Sequence, residues 1–241
     1  MDDRRVTICL CVSRSLIDRE KVLDVYDSLS KAGYTVSFEV DLCEKAISST
    51  EEMVKIASSV VVACYPRAVL SLFDSLGLTP DRVIDIRNSR KDEILENFDI
   101  SDVLATNDNK NFLYIPEPSV KSDTSKTTDV SKSDAWFPVI DRERCNNCGK
   151  CNDFCLFGVY SKEGKKNVVK NPRNCKNNCP ACARVCPQKA IIFPKYEKSP
   201  INGGLIDEEN TLSLDTKVLY SDALRMKLAE RKVGISLLKR K

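Results

Sequence analysis

The sequence predicts an α/β domain with a mostly parallel sheet, joined to a small α+β domain and ending in a helical extension. Three observations predict this. Strand-like and helix-like runs alternate over residues 5–100, a polar stretch interrupts the chain at 116–134, and a cysteine run then occurs twice. The 241 residues accordingly divide into an α/β domain at 1–115, a linker at 116–134, a cysteine-rich domain at 135–197 and a carboxyl-terminal extension at 198–241. A chain of this length with 42% hydrophobic residues can bury a sizeable core.

The first part reads as strand at 6–12, helix at 18–32, strand at 34–42, helix at 50–57, strand at 60–64, helix at 66–76 and strand at 82–86. Gly33 stands where a helix ends, and Pro66 suits the first turn of the helix that it opens. The stretch from Pro116 to Asp134 has almost no large apolar residue and cannot bury a core, so it reads as a linker. Trp136, Phe137 and Pro138 restart apolar sequence. Beyond them Cys151 recurs as Cys182 and Cys155 as Cys186, with apolar pairs flanking each run. Each half of this repeat reads as strand, cysteine loop, short helix and strand. In the extension, Tyr220, Leu224 and Leu228 share one helical face, short enough to suit docking on a neighbouring domain or subunit rather than a membrane surface.

Composition removes several function classes. Histidine is absent, which excludes Cys/His zinc fingers, Rieske centres, imidazole bases and histidine-ligated haem. No apolar run approaches the ~20 residues needed to span a bilayer, and the amino terminus has no long apolar signal core. The chain is expected to be soluble and cytoplasmic, without membrane insertion. Its twelve cysteines are then expected to be reduced and available as thiolate ligands. Residues 1–115 carry 14 Lys/Arg against 20 Asp/Glu, whereas residues 141–189 carry 11 against 4. Part of that basic excess offsets the negative charge of thiolate-bound metal. A nucleic-acid surface would need basic residues on one face together with a binding motif, so no nucleic acid is expected.

The two runs are Cys145-x2-Cys148-x2-Cys151-x3-Cys155 and Cys175-x3-Cys179-x2-Cys182-x3-Cys186, the second followed by Pro187. Zinc knuckles separate two cysteine pairs by roughly a dozen residues or more, so that each pair forms its own turn. Here the ligands are too closely strung for that, and they suit a loop wrapped around an iron–sulfur body. This pattern, over about residues 139–193, resembles bacterial-type two-cluster ferredoxins, in which the fourth cysteine of each run ligates the other cluster. By that rule Cys145, Cys148, Cys151 and Cys186 hold one [4Fe-4S] cluster, and Cys175, Cys179, Cys182 and Cys155 hold the second. Leu156 in place of proline and the wider first gap of the second run depart from the bacterial pattern.

Cys9, Cys11, Cys43 and Cys64 each fall where a parallel strand is expected to end, the edge at which open α/β sheets bind ligands. Singly each reads as a small buried hydrophobe; together they read as a third iron–sulfur site. The segments Ile8-Cys9-Leu10-Cys11, Asp41-Leu42-Cys43, Val61 to Arg67 and Asp85-Ile86-Arg87-Asn88 resemble the amino-terminal domain of the flavin-bearing subunit of heterodisulfide reductase and its relatives. That resemblance implies a place in a multi-subunit electron-transfer assembly. Only Gly33 and Gly77 occur in residues 1–115, so neither a dinucleotide fingerprint nor a P-loop is present and no flavin or nucleotide is expected. Arg67 and Arg87 suit donation to a cluster or partner equally with surface ion pairs.

Together these features lead us to expect an electron-transfer subunit of an oxidoreductase complex, meeting redox partner proteins, rather than an enzyme acting alone. Two alternatives are a disulfide or sulfur-compound reductase using the amino-terminal cysteines, and a redox-responsive interaction module.

Overall fold

A computed structural model of the chain describes residues 4–14, 16–100 and 134–206. In its first part β1 (Arg5–Cys9), β2 (Thr35–Glu39), β3 (Val60–Ala63) and β4 (Arg82–Asp85) form one parallel sheet in the order β2-β1-β3-β4. All four residues of β3 are buried, as a central strand covered on both faces requires. Around the sheet stand α1 (Arg19–Lys31), α2 (Leu42–Ser48), α3 (Thr50–Ala57), α4 (Pro66–Asp74) and α5 (Lys91–Leu95). This is the mostly parallel α/β architecture expected from the alternating runs.

Local chemistry sets the helix ends. Asp18, Asp41 and Ser49 cap α1, α2 and α3 by accepting from the backbone N–H of Glu20, Glu44 and Glu52. Along α1, Val22, Val25 and Leu29 recur on one face and are buried. Gly33 follows it at φ +80°, a left-handed conformation that glycine adopts without penalty. Two short helices, α2 and α5, have no counterpart in the expected elements. The strand expected at 34–42 stops at Glu39 because the Asp41 cap starts α2 at Leu42.

Because the sheet order runs outward from β1 in both directions, the carboxyl ends of β1 and β3 lie side by side at a switch point, where such sheets open a crevice. Cys9 and Cys64 stand there.

The cysteine-rich part contains β5 (Val139–Ile140), α6 (Lys150–Phe154), β6 (Tyr160–Glu163), β7 (Lys166–Val169), α7 (Ala181–Arg184) and β8 (Ile191–Ile192). Both halves of the repeat thus show the expected strand, loop, helix and strand. Each strand pairs antiparallel with one from the other half, β5 with β8 and β6 with β7, so the halves are interleaved rather than stacked.

The two parts share a core. Met53, Val61, Leu72 and Phe73 of the α/β part cluster with Phe137, Val139 and Ile192 of the other. Arg67, in the first turn of α4, donates to the carbonyls of Pro200 (2.7 Å), Lys189 (3.3 Å) and Gly203 (3.4 Å) and pairs with Asp141 at 3.4 Å. Gly203 is required at this approach: a Cβ on it would lie 2.6 Å from that of Ala68. Most of the expected linker and the helix bearing Tyr220, Leu224 and Leu228 lie outside the described residues.

Replacing Arg67 by Met leaves those carbonyls unpaired. Hydrogen bonds to a charged group contribute about 1.5–3 kcal/mol, so amide exchange in the segment around residues 199–204 should accelerate at least roughly tenfold. Hydrogen-exchange mass spectrometry reads this directly, and unchanged exchange would mean that Arg67 does not hold the seam.

Candidate metal centres

The amino-terminal quartet is built by three elements and their loops. Cys9 is the last residue of β1, and Cys64 follows β3 directly. Cys11 lies two residues beyond β1 at φ +48°, a conformation costing about 1–2 kcal/mol for a residue other than glycine. Cys43 does not end a strand, as the sequence suggested, but sits in the first turn of α2. All four line one pocket with Ile17, Leu42, Leu72 and Pro194. Pro194 comes from the cysteine-rich part, so both parts wall this space.

The second quartet combines the two runs. Cys155, at the end of α6, lines the same cavity as Cys175, Cys179 and Cys182, a space of about 440 Å³ bounded otherwise by Pro138, Leu156, Phe157 and Val159 among others. The first quartet is reciprocal: Cys145, Cys148 and Cys186 act electrostatically on Cys151. The fold thus brings the last cysteine of each run near the other run. Among the described residues no three Cys, Asp or Glu side chains converge closely enough to hold a single metal ion.

In each run an asparagine turns the loop. Asn147 and Asn178, each directly before the second cysteine, adopt φ +57° and +59°, and asparagine is among the few residues that visit this region readily. The duplicated Asn-Asn-Cys at 146–148 and 177–179 is a signal in the sequence that the cysteine spacing overshadows. Two sulfurs have donors outside the runs. The Tyr160 hydroxyl donates to Cys182 Sγ at 3.1 Å, and the Ala190 N–H donates to Cys186 Sγ at 3.4 Å.

Burial dominates the acid–base state of these thiols. It raises Cys151 to about 11 and Cys175 and Cys182 to about 12, with neighbouring cysteines adding to the shift. In the amino-terminal pocket burial raises Cys11 to about 11, Cys64 to about 12, and Cys9 and Cys43 well above the usual thiol value. Without a metal these groups are neutral at pH 7. A cation that displaces their protons supplies the opposite charge that burial otherwise denies a thiolate. Four closely gathered thiols with apolar surroundings are the donor set that suits an iron–sulfur cluster.

Arg67 and Arg87 are both engaged at the seam between the two parts. Both reach across the seam to backbone carbonyls, Arg87 to those of Tyr196 and Glu197 at 3.4 and 3.1 Å while its guanidinium lies 4.9 Å from the Tyr65 ring centre. No helix among the described residues is long and apolar enough to cross a membrane.

No family model matches the chain. Over 70 residues it is 51% identical to an uncharacterized ferredoxin of Methanocaldococcus jannaschii, a match covering 29% of this chain and 47% of the relative, so it spans about half of that protein. A second uncharacterized ferredoxin of the same organism is 39% identical over 58 residues, covering 23% of this chain and 74% of the relative. The pyruvate synthase subunit PorD, also of that organism, is 29% identical over 86 residues, covering 36% of this chain and 92% of the subunit. With three quarters of a ferredoxin matched at this identity, the chain belongs to the ferredoxin family.

Proposed function

We propose that the chain is an iron–sulfur electron carrier that relays single electrons as part of a larger oxidoreductase. The observation that carries this reading is that two separate spaces are each lined by four cysteines in a chain similar to ferredoxins. Cys145, Cys148, Cys151 and Cys186 would hold one [4Fe-4S] cluster, and Cys155, Cys175, Cys179 and Cys182 a second. Cys9, Cys11, Cys43 and Cys64 would hold a third, in a domain resembling the amino-terminal domain of the flavin-bearing heterodisulfide reductase subunit. When bound, such clusters store one electron each at a potential set by charge, hydrogen bonds and exposure.

The chain's own residues position and insulate these sites. The asparagine turns curl the loops, Tyr160 aims a hydroxyl at Cys182, and Cys9, Cys43, Cys151 and Cys182 are buried. At the rim of the second quartet Phe154, Phe157 and Leu156 stand exposed, Leu156 by 92%. Exposed apolar groups clustered on a soluble fold mark a contact surface, and here a docked protein would lie beside the sulfurs. The similarity to a pyruvate synthase subunit supports a place among other subunits.

Reductase chemistry at the amino-terminal cysteines has less support. A nucleophilic cysteine is partly exposed and has a depressed pKa. Cys9 and Cys43 are only 3% and 7% exposed, and burial pushes their thiols in the opposite direction.

Anaerobic iron and sulfide analysis should give about twelve irons per chain, falling to about eight when Cys9 and Cys64 are both replaced by Ser. A wild-type value near eight would remove the third site, and a value near zero the whole reading. Tyr160→Phe should leave the iron content unchanged. Loss of a hydrogen bond worth about 0.5–1.5 kcal/mol should lower the midpoint of the second-quartet cluster by roughly 20–65 mV in an electron paramagnetic resonance titration. An unmoved midpoint would mean that the hydroxyl does not act on that site.

A further inference from the structure

A buried cation stands at the seam beside the amino-terminal quartet. The Lys195 side chain is 2% exposed, and its Nζ donates to Asp41 Oδ2 at 2.6 Å and Asp134 Oδ1 at 3.0 Å. Its chain neighbour Pro194 and its partner Asp41 both line the pocket of Cys9, Cys11, Cys43 and Cys64. Arg14 pairs with Asp134 from the other side, so the network holds two positive and two negative groups. Its neutrality depends on Lys195.

Cohesion alone is a poor reason for such an arrangement. Lysine is almost never fully buried unless paired, and apolar residues of equal volume often hold a protein together as well as buried ions or better. The location supplies another reason. Asp41 lies two residues before Cys43, and a carboxylate so close to four sulfurs would disfavour adding an electron unless a cation stood against it. In a site of low dielectric that cation acts strongly.

We propose that Lys195, supplied by the cysteine-rich part, is a positioning residue of the amino-terminal site: it holds Asp41 at the pocket wall and sets the reduction potential of the iron–sulfur group that the quartet holds. The inference rests on the reading of that quartet as a cluster site. It makes the site composite, complete only when the two parts are docked.

The test is an anaerobic redox titration of the full chain, followed by electron paramagnetic resonance, with iron content measured on each sample. Lys195→Met should lower the midpoint of the amino-terminal site, Asp134→Asn should raise it, and Lys195→Arg should leave it near the wild-type value. The midpoints of the other two sites should not move. A purely structural role would not give shifts of opposite sign from two partners in one ion pair. With about twelve irons per chain, unmoved midpoints, or shifts of the same sign, overturn this inference alone. About eight irons in the wild type overturn the cluster reading and this inference with it. Should Lys195→Met fail to fold, Asp134→Asn decides: a midpoint that stays or falls is contrary.

Discussion

Gathering thiols from distant segments around common spaces is the constraint on which the rest of this chain depends. Each quartet draws its sulfurs from segments far apart in sequence, so the backbone between them must return to the same place. In the cysteine-rich part the return is reciprocal: Cys155 stands with the second run and Cys186 with the first. The interleaved pairing of β5 with β8 and β6 with β7 follows from the same crossing. In the α/β part the sheet order does the equivalent work, bringing the ends of β1 and β3 to one crevice, with α2 adding Cys43. Burial then makes proton loss from the thiols costly, which suits ligands that surrender their protons to a metal and suits nucleophiles badly.

A second layer of structure ties these spaces together. Arg67, Arg87 and Lys195 each cross the seam between the parts to a partner on the far side. Further contacts tie the second cysteine loop to the α/β part: Arg173 pairs with Glu44 at 3.2 Å, and Arg14 donates to Asn177 at 2.9 Å. Cys175 packs against both the shared core and the core of the cysteine-rich part. The second cysteine loop is therefore anchored to the α/β part as well as to its own.

Much of this is legible in the sequence where a local rule decides the outcome. The helix at 50–57 is legible to the residue because Ser49 caps it and the apolar positions repeat at helical spacing. The crossed membership of the repeat's cysteines is an expectation from the resemblance to two-cluster ferredoxins, which spacing alone does not supply. The strand at 34–42 reads too long because Asp41 and Glu44 form a cap whose signal merges with an apolar run, and this misplaces Cys43. The asparagine turns are present as a duplicated Asn-Asn-Cys but carry meaning only once their backbone angles are known. The seam is not legible. Lys195 and Asp41 are 154 residues apart, and nothing local distinguishes that lysine from the many exposed ones.

The proposed carrier is a single body in which a ferredoxin-type segment completes a site on its neighbour, and in which all three quartets hold metal with Cys155 and Cys186 exchanged between the runs. Anomalous X-ray scattering from crystals of the anaerobically purified protein, recorded at the iron edge, tests this most directly. Three separate iron peaks are expected: one among Cys9, Cys11, Cys43 and Cys64, one joined to Cys155 with the second run, and one joined to Cys186 with the first. Two peaks with an iron-free amino-terminal pocket, or peaks in which each run keeps its own fourth cysteine, would contradict it.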